Sequence, residues 1–219
     1  NEIIGTGAAS SKKMSFSALV SAEAFNNEEI IVNIGNSTNN ILWRISTGGE
    51  IHFGISTSAG FLLFETGRGL IDLNKIYHIA VSYDASFSAY SLSNPNVPSI
   101  YIDGVKQVIT NTTLDGSTNL QALEGATYSG IGTTGTHNRA RIGLRYDQNS
   151  ATAFNGKLAE VAIWNTALTD EEILSIYNTS RTRFVRNQAV SGFLNHSPRI
   201  QSIDNINYHD VHGTFDDTR

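Results

Sequence analysis

A short polar segment, RYDQN, carries side chains that can bind a sugar or a metal ion. It offers a guanidinium at Arg145, a phenol ring at Tyr146, a carboxylate at Asp147 and an amide at Asn149. Oxygen atoms of this kind are the ligands that calcium prefers, so Asp147 and Asn149 are candidate calcium ligands. Turns also select Asp and Asn for their backbone chemistry, and that alternative stays open. Calcium is the one cofactor that the sequence suggests.

A sugar site needs aromatic faces and hydrogen-bonding side chains that are held on a rigid scaffold. The candidate ligand-binding residues that offer these groups are Trp43, Arg44, Arg145, Tyr146, Asp147 and Asn149. Trp43 lies inside the apolar run NILWRI, which also favours a position in the core.

The sequence contains no pattern typical of a catalytic site, so we predict no catalytic residue. Glycosidases need two carboxyl groups within about 5–10 Å of each other. Glu28 and Glu29 are adjacent, and in a strand they would point to opposite faces. The absence of cysteine excludes disulfides, thiol nucleophiles and thiolate metal sites. We therefore expect a protein that is not an enzyme, with a polysaccharide-active enzyme as the most distant alternative.

The charge of the chain argues against two classes of partner. The formal net charge is −5, whereas nucleic-acid binding needs a clustered basic surface. No apolar run approaches the about 20 residues that span a bilayer as a helix. We expect neither nucleic-acid binding nor membrane insertion.

The elements that must position these side chains are mostly strands. Alternating or apolar runs recur along the chain between turn-forming segments, and the 19 glycines and 3 prolines suit many short strands. The predicted strands are Met14–Phe25, Glu29–Ile34, Asn40–Ile45, Glu50–Ser56, Gly60–Glu65, Ile76–Tyr83, Ser99–Asp103, Val105–Ile109, Arg139–Tyr146 and Lys157–Trp164. Strict alternation in the last of them places Val161 and Ile163 on one face and Leu158 on the other.

One short helix follows the last strand. Thr169 and Glu172 have the spacing of a capping box, which predicts a helix start at this point. An apolar stripe on one side predicts that the helix docks on the sandwich; its members are Ile173, Leu174, Ile176 and Tyr177.

Residues 181–219 form a segment of a different kind, without a regular period but rich in apolar side chains. Such a segment is too apolar for a disordered tail, so we interpret it as an extended arm that packs along its own sandwich or onto a neighbouring protein subunit. The candidate assembly residues are Phe184, Phe193, Leu194, Ile203, Tyr208 and Phe215. The predicted domains are therefore a sandwich over residues 1–180 and an arm over residues 181–219.

Three motifs in the same order resemble a laminin-G-like domain of the concanavalin A-like lectin/glucanase superfamily. They are YHIAVSYD at Tyr77–Asp84, YIDGV at Tyr101–Val105 and NGKLAEVAIWNTALTDEEIL at Asn155–Leu174. The resemblance covers roughly Met14 to Asn178 and implies an all-β, two-sheet antiparallel jelly-roll sandwich with a short helix after the final strand. Ala159 stands where many members of the family have Asp, which puts a structural calcium site of the family type in doubt.

The resemblance implies recognition rather than catalysis. We expect a recognition or adhesion module, displayed on a cell surface or virion as part of a larger assembly. Its expected partners are cell-surface glycans and, through the arm, other protein subunits. The alternative is a purely structural virion protein, such as a phage capsid decoration or tail component, that binds no sugar.

Overall fold

The computed structural model describes residues 12–86, 89–130 and 139–182. The arm residues Phe184, Phe193, Leu194, Ile203, Tyr208 and Phe215 lie outside these ranges. The strands of the described residues are β1 (Lys13–Ala22), β2 (Glu28–Gly35), β3 (Asn40–Ser46), β4 (Ile51–Thr57), β5 (Gly60–Thr66), β6 (Tyr77–Asp84), β7 (Ser99–Ile102), β8 (Val105–Gln107), β9 (Ile109–Leu114), β10 (Arg139–Ile142) and β11 (Gly156–Trp164). Two short 3-10 turns cover Gln121–Leu123 and Ser150–Thr152. A helix, α1, begins at residue 170 and its described part extends to residue 182.

The strands form two antiparallel sheets. One sheet has the order β11-β1-β6-β7-β8, and the other has the order β10-β2-β3-β4-β5-β9. The two sheets pack as a sandwich that is consistent with a jelly roll, so the predicted all-β fold class is confirmed. The chain divides into two compact units after Tyr177, and the predicted domain boundary near residue 180 stays a prediction.

Aromatic rings from both sheets fill the space between them. Phe16 lies 6.1 Å from Trp43 and 6.0 Å from Phe53, measured between ring centroids. Tyr83 contacts both Phe53 and Phe64 at 5.8 Å. Each such side chain contributes about 1.5–3 kcal/mol on burial, so this cluster gives the sandwich a rigid centre.

A β-bulge in β11 changes which side chains face the core. The pairing of β11 with β1 shifts by one residue, and Glu160 in the extra position has φ of 48°. Leu158 consequently packs against the core together with Val161 and Ile163. The prediction that placed Leu158 on the opposite face is wrong, because strict alternation does not continue across a bulge.

The predicted helix start is confirmed by reciprocal capping bonds. The backbone N–H of Thr169 donates to Glu172 Oε2 at 2.8 Å, and the Glu172 N–H donates to Thr169 Oγ1 at 3.2 Å. Ile173 is fully buried against Ala80 and Tyr101 on the outer face of the five-stranded sheet. Leu174, which belongs to the predicted docking stripe, is 46% exposed.

A buried histidine also lies at this contact. The ring of His78 is 5.8 Å from that of Tyr177, and the residue is only 2% exposed. Neither ring nitrogen has a hydrogen-bond partner among the described residues. Burial lowers the pKa of His78, because the charged imidazolium would lose its hydration.

Candidate functional site

A groove of about 640 Å³ runs over the outer face of the six-stranded sheet. Its walls and floor come from residues that alternate with core residues on strands β2, β3, β4, β5 and β9, together with the segment that follows β10. A volume of this size is typical of ligand sites in proteins. The lining mixes carboxylates, guanidiniums, amides and hydroxyls with a few apolar side chains.

The floor of the groove is apolar at its centre because β4 carries a glycine there. The strand register places Gly54 between Leu42 and Leu63. A Cβ atom at Gly54 would lie 2.6 Å from Phe61 Cε1, which is closer than side chains tolerate. The glycine therefore leaves room for the ring of Phe61, which lines the groove, to lie over β4.

At one end of the groove, arginine and carboxylate side chains alternate in a row. Arg44 forms an ion pair with Glu28 Oε1, and Arg145 Nη1 lies 3.8 Å from Glu28 Oε2. Arg145 in turn donates from Nε and Nη2 to the two carboxylate oxygens of Asp147, at 3.2 and 2.6 Å. This bidentate pairing lowers the pKa of Asp147 to about 2. The Arg145 guanidinium also lies 5.6 Å from the ring centroid of Tyr146.

The opposite end of the groove carries a carboxylate without a cation. Glu65 Oε2 accepts a hydrogen bond from Asn111 Nδ2 at 2.8 Å. Within the described ranges, no Lys, Arg or His nitrogen lies within 4.0 Å of the Glu65 carboxylate. Thr113, on the same face of β9, adds a hydroxyl to this end.

Two oxygen atoms of residues in the groove lack donors. Asn33 is fully buried; its Nδ2 donates to the Ile41 carbonyl at 2.9 Å, whereas its Oδ1 receives no hydrogen bond from the described part of the chain. Glu28 Oε2 likewise accepts no hydrogen bond there. Leaving such a group unsatisfied costs about 1–3 kcal/mol. Donors from a ligand or from water would relieve that cost.

The structure brings three of the predicted ligand-binding residues into this groove: Arg44, Arg145 and Tyr146. Trp43 lies on the other face of β3, where it is fully buried against Phe16. Its place in the candidate ligand-binding set needs correction, because a side chain that fills the core presents no face to a ligand.

Asp147 and Asn149 lie beside the groove and hold its wall. Asp147 Oδ1 accepts from the Asn149 N–H at 3.2 Å, and Asn149 Oδ1 accepts from the Ala151 N–H at 3.0 Å. Asp147 gives its oxygens to Arg145, and Asn149 caps the 3-10 turn at Ser150–Thr152. In residues 12–86, 89–130 and 139–182, no three His, Asp or Glu side chains cluster as metal ligands. This geometry favours the turn interpretation over calcium.

Most groove residues were not among the predicted ligand-binding residues, including Glu28, Asn33, Phe61, Glu65 and Asn111. A polar residue inside an apolar run, as Asn33 is inside IIVNI, was the one usable signal. Phe61 and the neighbouring apolar residues gave the opposite signal, since the run GFLLFE favours a buried strand.

Comparison with known proteins places the chain in a family. The laminin-G-type family described as the concanavalin A-like lectin/glucanases superfamily matches residues 4–174. The chain belongs to this superfamily. The family resemblance drawn from the three motifs is thereby confirmed. No curated protein matches the chain.

Two solved structures have a similar fold. The CBM40 of the Ruminococcus gnavus IT-sialidase has a TM-score of 0.54 and 13% identity, over 77% of this chain and 84% of that chain. A leech intramolecular trans-sialidase, complexed with 2,7-anhydro-Neu5Ac, has a TM-score of 0.53 and 16% identity, over 76% of this chain and 23% of that chain. At these identities the likeness concerns the fold. Among the described helices, none combines the length and the apolar character needed to cross a membrane.

Proposed function

We propose that this concanavalin A-like domain is a non-enzymatic glycan-binding module whose ligand lies in the groove of the six-stranded sheet. The observation that carries the proposal is the groove itself: an aromatic ring over Gly54, surrounded by acceptors and donors on a rigid sandwich. Sugars present both apolar C–H faces and hydroxyl groups, so they match a floor of this mixed kind.

The carboxylates of the groove do not suit hydrolysis. Glu28 on β2 and Glu65 on β5 are three strand positions apart, or about 14 Å between backbones, with Arg44 on β3 and His52 on β4 between them. Asp147 lies closer to Glu28 through their shared partner Arg145, but its pKa of about 2 keeps it ionised at neutral pH. A general acid for glycoside cleavage needs a raised pKa, so Asp147 does not suit that role.

The proposed setting is the one expected from the sequence: display outside a cell or on a virion, in a larger assembly, with adhesion to glycans as the role. A carbohydrate-binding fold in the solved neighbours supports the ligand class. A purely structural virion protein is the alternative, and it predicts that the groove binds no sugar.

The test is a glycan array followed by titration calorimetry of the best ligand, with Phe61→Ala as the groove variant. Removing the ring should weaken binding about tenfold, since a stacking surface is lost while the sandwich core is untouched. Val105→Ala is the matched control, because Val105 is exposed on β8 of the other sheet. Failure of the protein to bind any glycan, or equal binding by Phe61→Ala, would refute the proposed function. Repeating the titration with a calcium chelator tests whether Asp147 and Asn149 hold an ion.

A further inference from the structure

We propose that the groove selects an uncharged, hydroxyl-rich sugar residue and discriminates against sugars that carry a carboxylate. This inference rests on the proposed function and names the ligand class for the same site. It is opposed to a simpler interpretation, in which two arginines in a groove imply an anionic ligand.

Both arginines of the groove already form ion pairs with carboxylates of the protein. Arg44 pairs with Glu28, and its Nε donates to His52 Nδ1 at 3.3 Å. Arg145 holds both oxygens of Asp147, at 3.2 and 2.6 Å. A ligand carboxylate would compete with these protein carboxylates for the same guanidiniums, and its negative charge would be repelled by them.

The charged side chains that line the groove are matched in sign. Arg44 and Arg145 contribute two guanidiniums, and Glu28 and Glu65 contribute two carboxylates. The described lining therefore offers an anion no excess of positive charge, and specificity depends on hydrogen bonding.

Glu65 makes the far end of the groove unfavourable for an anion. Its carboxylate has one amide donor, from Asn111, and no Lys, Arg or His nitrogen lies within 4.0 Å of it among the described residues. Burial lowers the pKa of its cross-strand neighbour His52, which leaves that imidazole uncharged at neutral pH. A sugar hydroxyl can donate to such a carboxylate, whereas a uronate or sialate carboxylate would be repelled by it.

The atoms without donors point to the same ligand chemistry. Asn33 lines the groove, is fully buried, and has an Oδ1 atom that no described residue satisfies. The bond from Nδ2 to the Ile41 carbonyl fixes the orientation of this amide, and its Oδ1, a carbonyl oxygen, can only accept. A hydroxyl group or a bridging water can donate to it once a small shift of the surrounding side chains opens the atom, whereas an ionised carboxylate has no proton to give.

The experiment compares matched neutral and acidic glycans on the whole chain. The pairs are lactose with sialyllactose, and oligosaccharides that end in a hexose with the same oligosaccharides ending in the hexuronic acid, each measured by calorimetry. Wild type should bind the neutral member of its preferred pair at least about tenfold more tightly. Glu65→Gln, which removes the charge and keeps the size, should reduce this preference to about threefold or less.

The control is Glu171→Gln on α1, which makes the same change of net charge away from the groove and should leave the preference intact. Equal or tighter binding of the acidic members by wild type would overturn the inference and leave the proposed function standing. An unchanged preference in Glu65→Gln would also overturn it. Failure to bind every glycan would refute the proposed function, and the inference with it.

Discussion

Gly54→Ala tests the packing of the groove floor with a single methyl group. The added Cβ would lie 2.6 Å from Phe61 Cε1 and 3.0 Å from Leu63 Cδ1. Carbon atoms prefer about 3.5–4.0 Å, so the Phe61 ring must move by about 1 Å. Overpacking of this kind costs about 1–3 kcal/mol, and the low end applies because Phe61 is half-buried and can swing toward solvent.

The expected result is a small loss of stability with a larger loss of binding. We expect the free energy of unfolding to fall by about 1 kcal/mol, which lowers Tm by about 2–4 °C. The displaced ring should weaken glycan binding about tenfold. Chemical denaturation and calorimetry measure the two effects separately. Gly67→Ala is the matched control, because its Cβ would find only Thr110 Cγ2, at 3.8 Å.

A double-mutant cycle isolates the contact. In a Phe61→Ala background the ring is absent, so Gly54→Ala should cost about 1 kcal/mol less than it does in wild type. An equal cost in both backgrounds would show that the ring does not depend on the glycine. The explanation of the groove floor would then be wrong.

Two further predictions concern α1 and the buried imidazoles. Thr169→Ala removes the capping oxygen that receives the Glu172 N–H, and should lower the free energy of unfolding by about 1 kcal/mol; unchanged unfolding and amide exchange would contradict this. Burial lowers the pKa of both His78 and His52 in the folded protein, so the folded state binds fewer protons than the unfolded state as the pH falls below about 6.5. Stability should therefore be full above that pH and decline toward pH 5, by at most about 1.4 kcal/mol per pH unit for each group. In His78→Phe, the decline in the free energy of unfolding between about pH 6.5 and pH 5, measured by urea denaturation at both pH values, should be smaller than in wild type. An unchanged decline would contradict the assignment of part of this pH dependence to His78.

Local patterns in the sequence predicted the elements well. The capping box at Thr169 and the alternating strands depend on neighbours within a few residues, and they are present in the structure, whereas β9 lies in a segment without clear alternation and was not among the predicted strands. The bulge at Glu160 was not predictable in this way. A positive φ at a glutamate is imposed by pairing with β1, which is distant in sequence.

The residues of the groove could not be predicted from local patterns for a related reason. Glu65 and Asn111 are 46 residues apart and meet only because β5 pairs with β9. Phe61 has the composition of a core residue, and only the absence of a side chain at Gly54 gives it a place on the outer face. For Trp43 the sequence supported two interpretations: the aromatic ring suggested a ligand platform and the surrounding apolar run predicted a core position, and the structure places it in the core.

The wall that contains Arg145 is organised by hydrogen bonds between its own residues. Asp147 holds Arg145, and Asn149 fixes the following turn, so this segment has few conformations to lose when a sugar arrives. The entropy of ordering the wall is thus lost during folding rather than during association. Ligands should consequently associate at similar rates and differ mainly in how long they stay bound. The bonds within the wall act as determinants of residence time without touching the sugar.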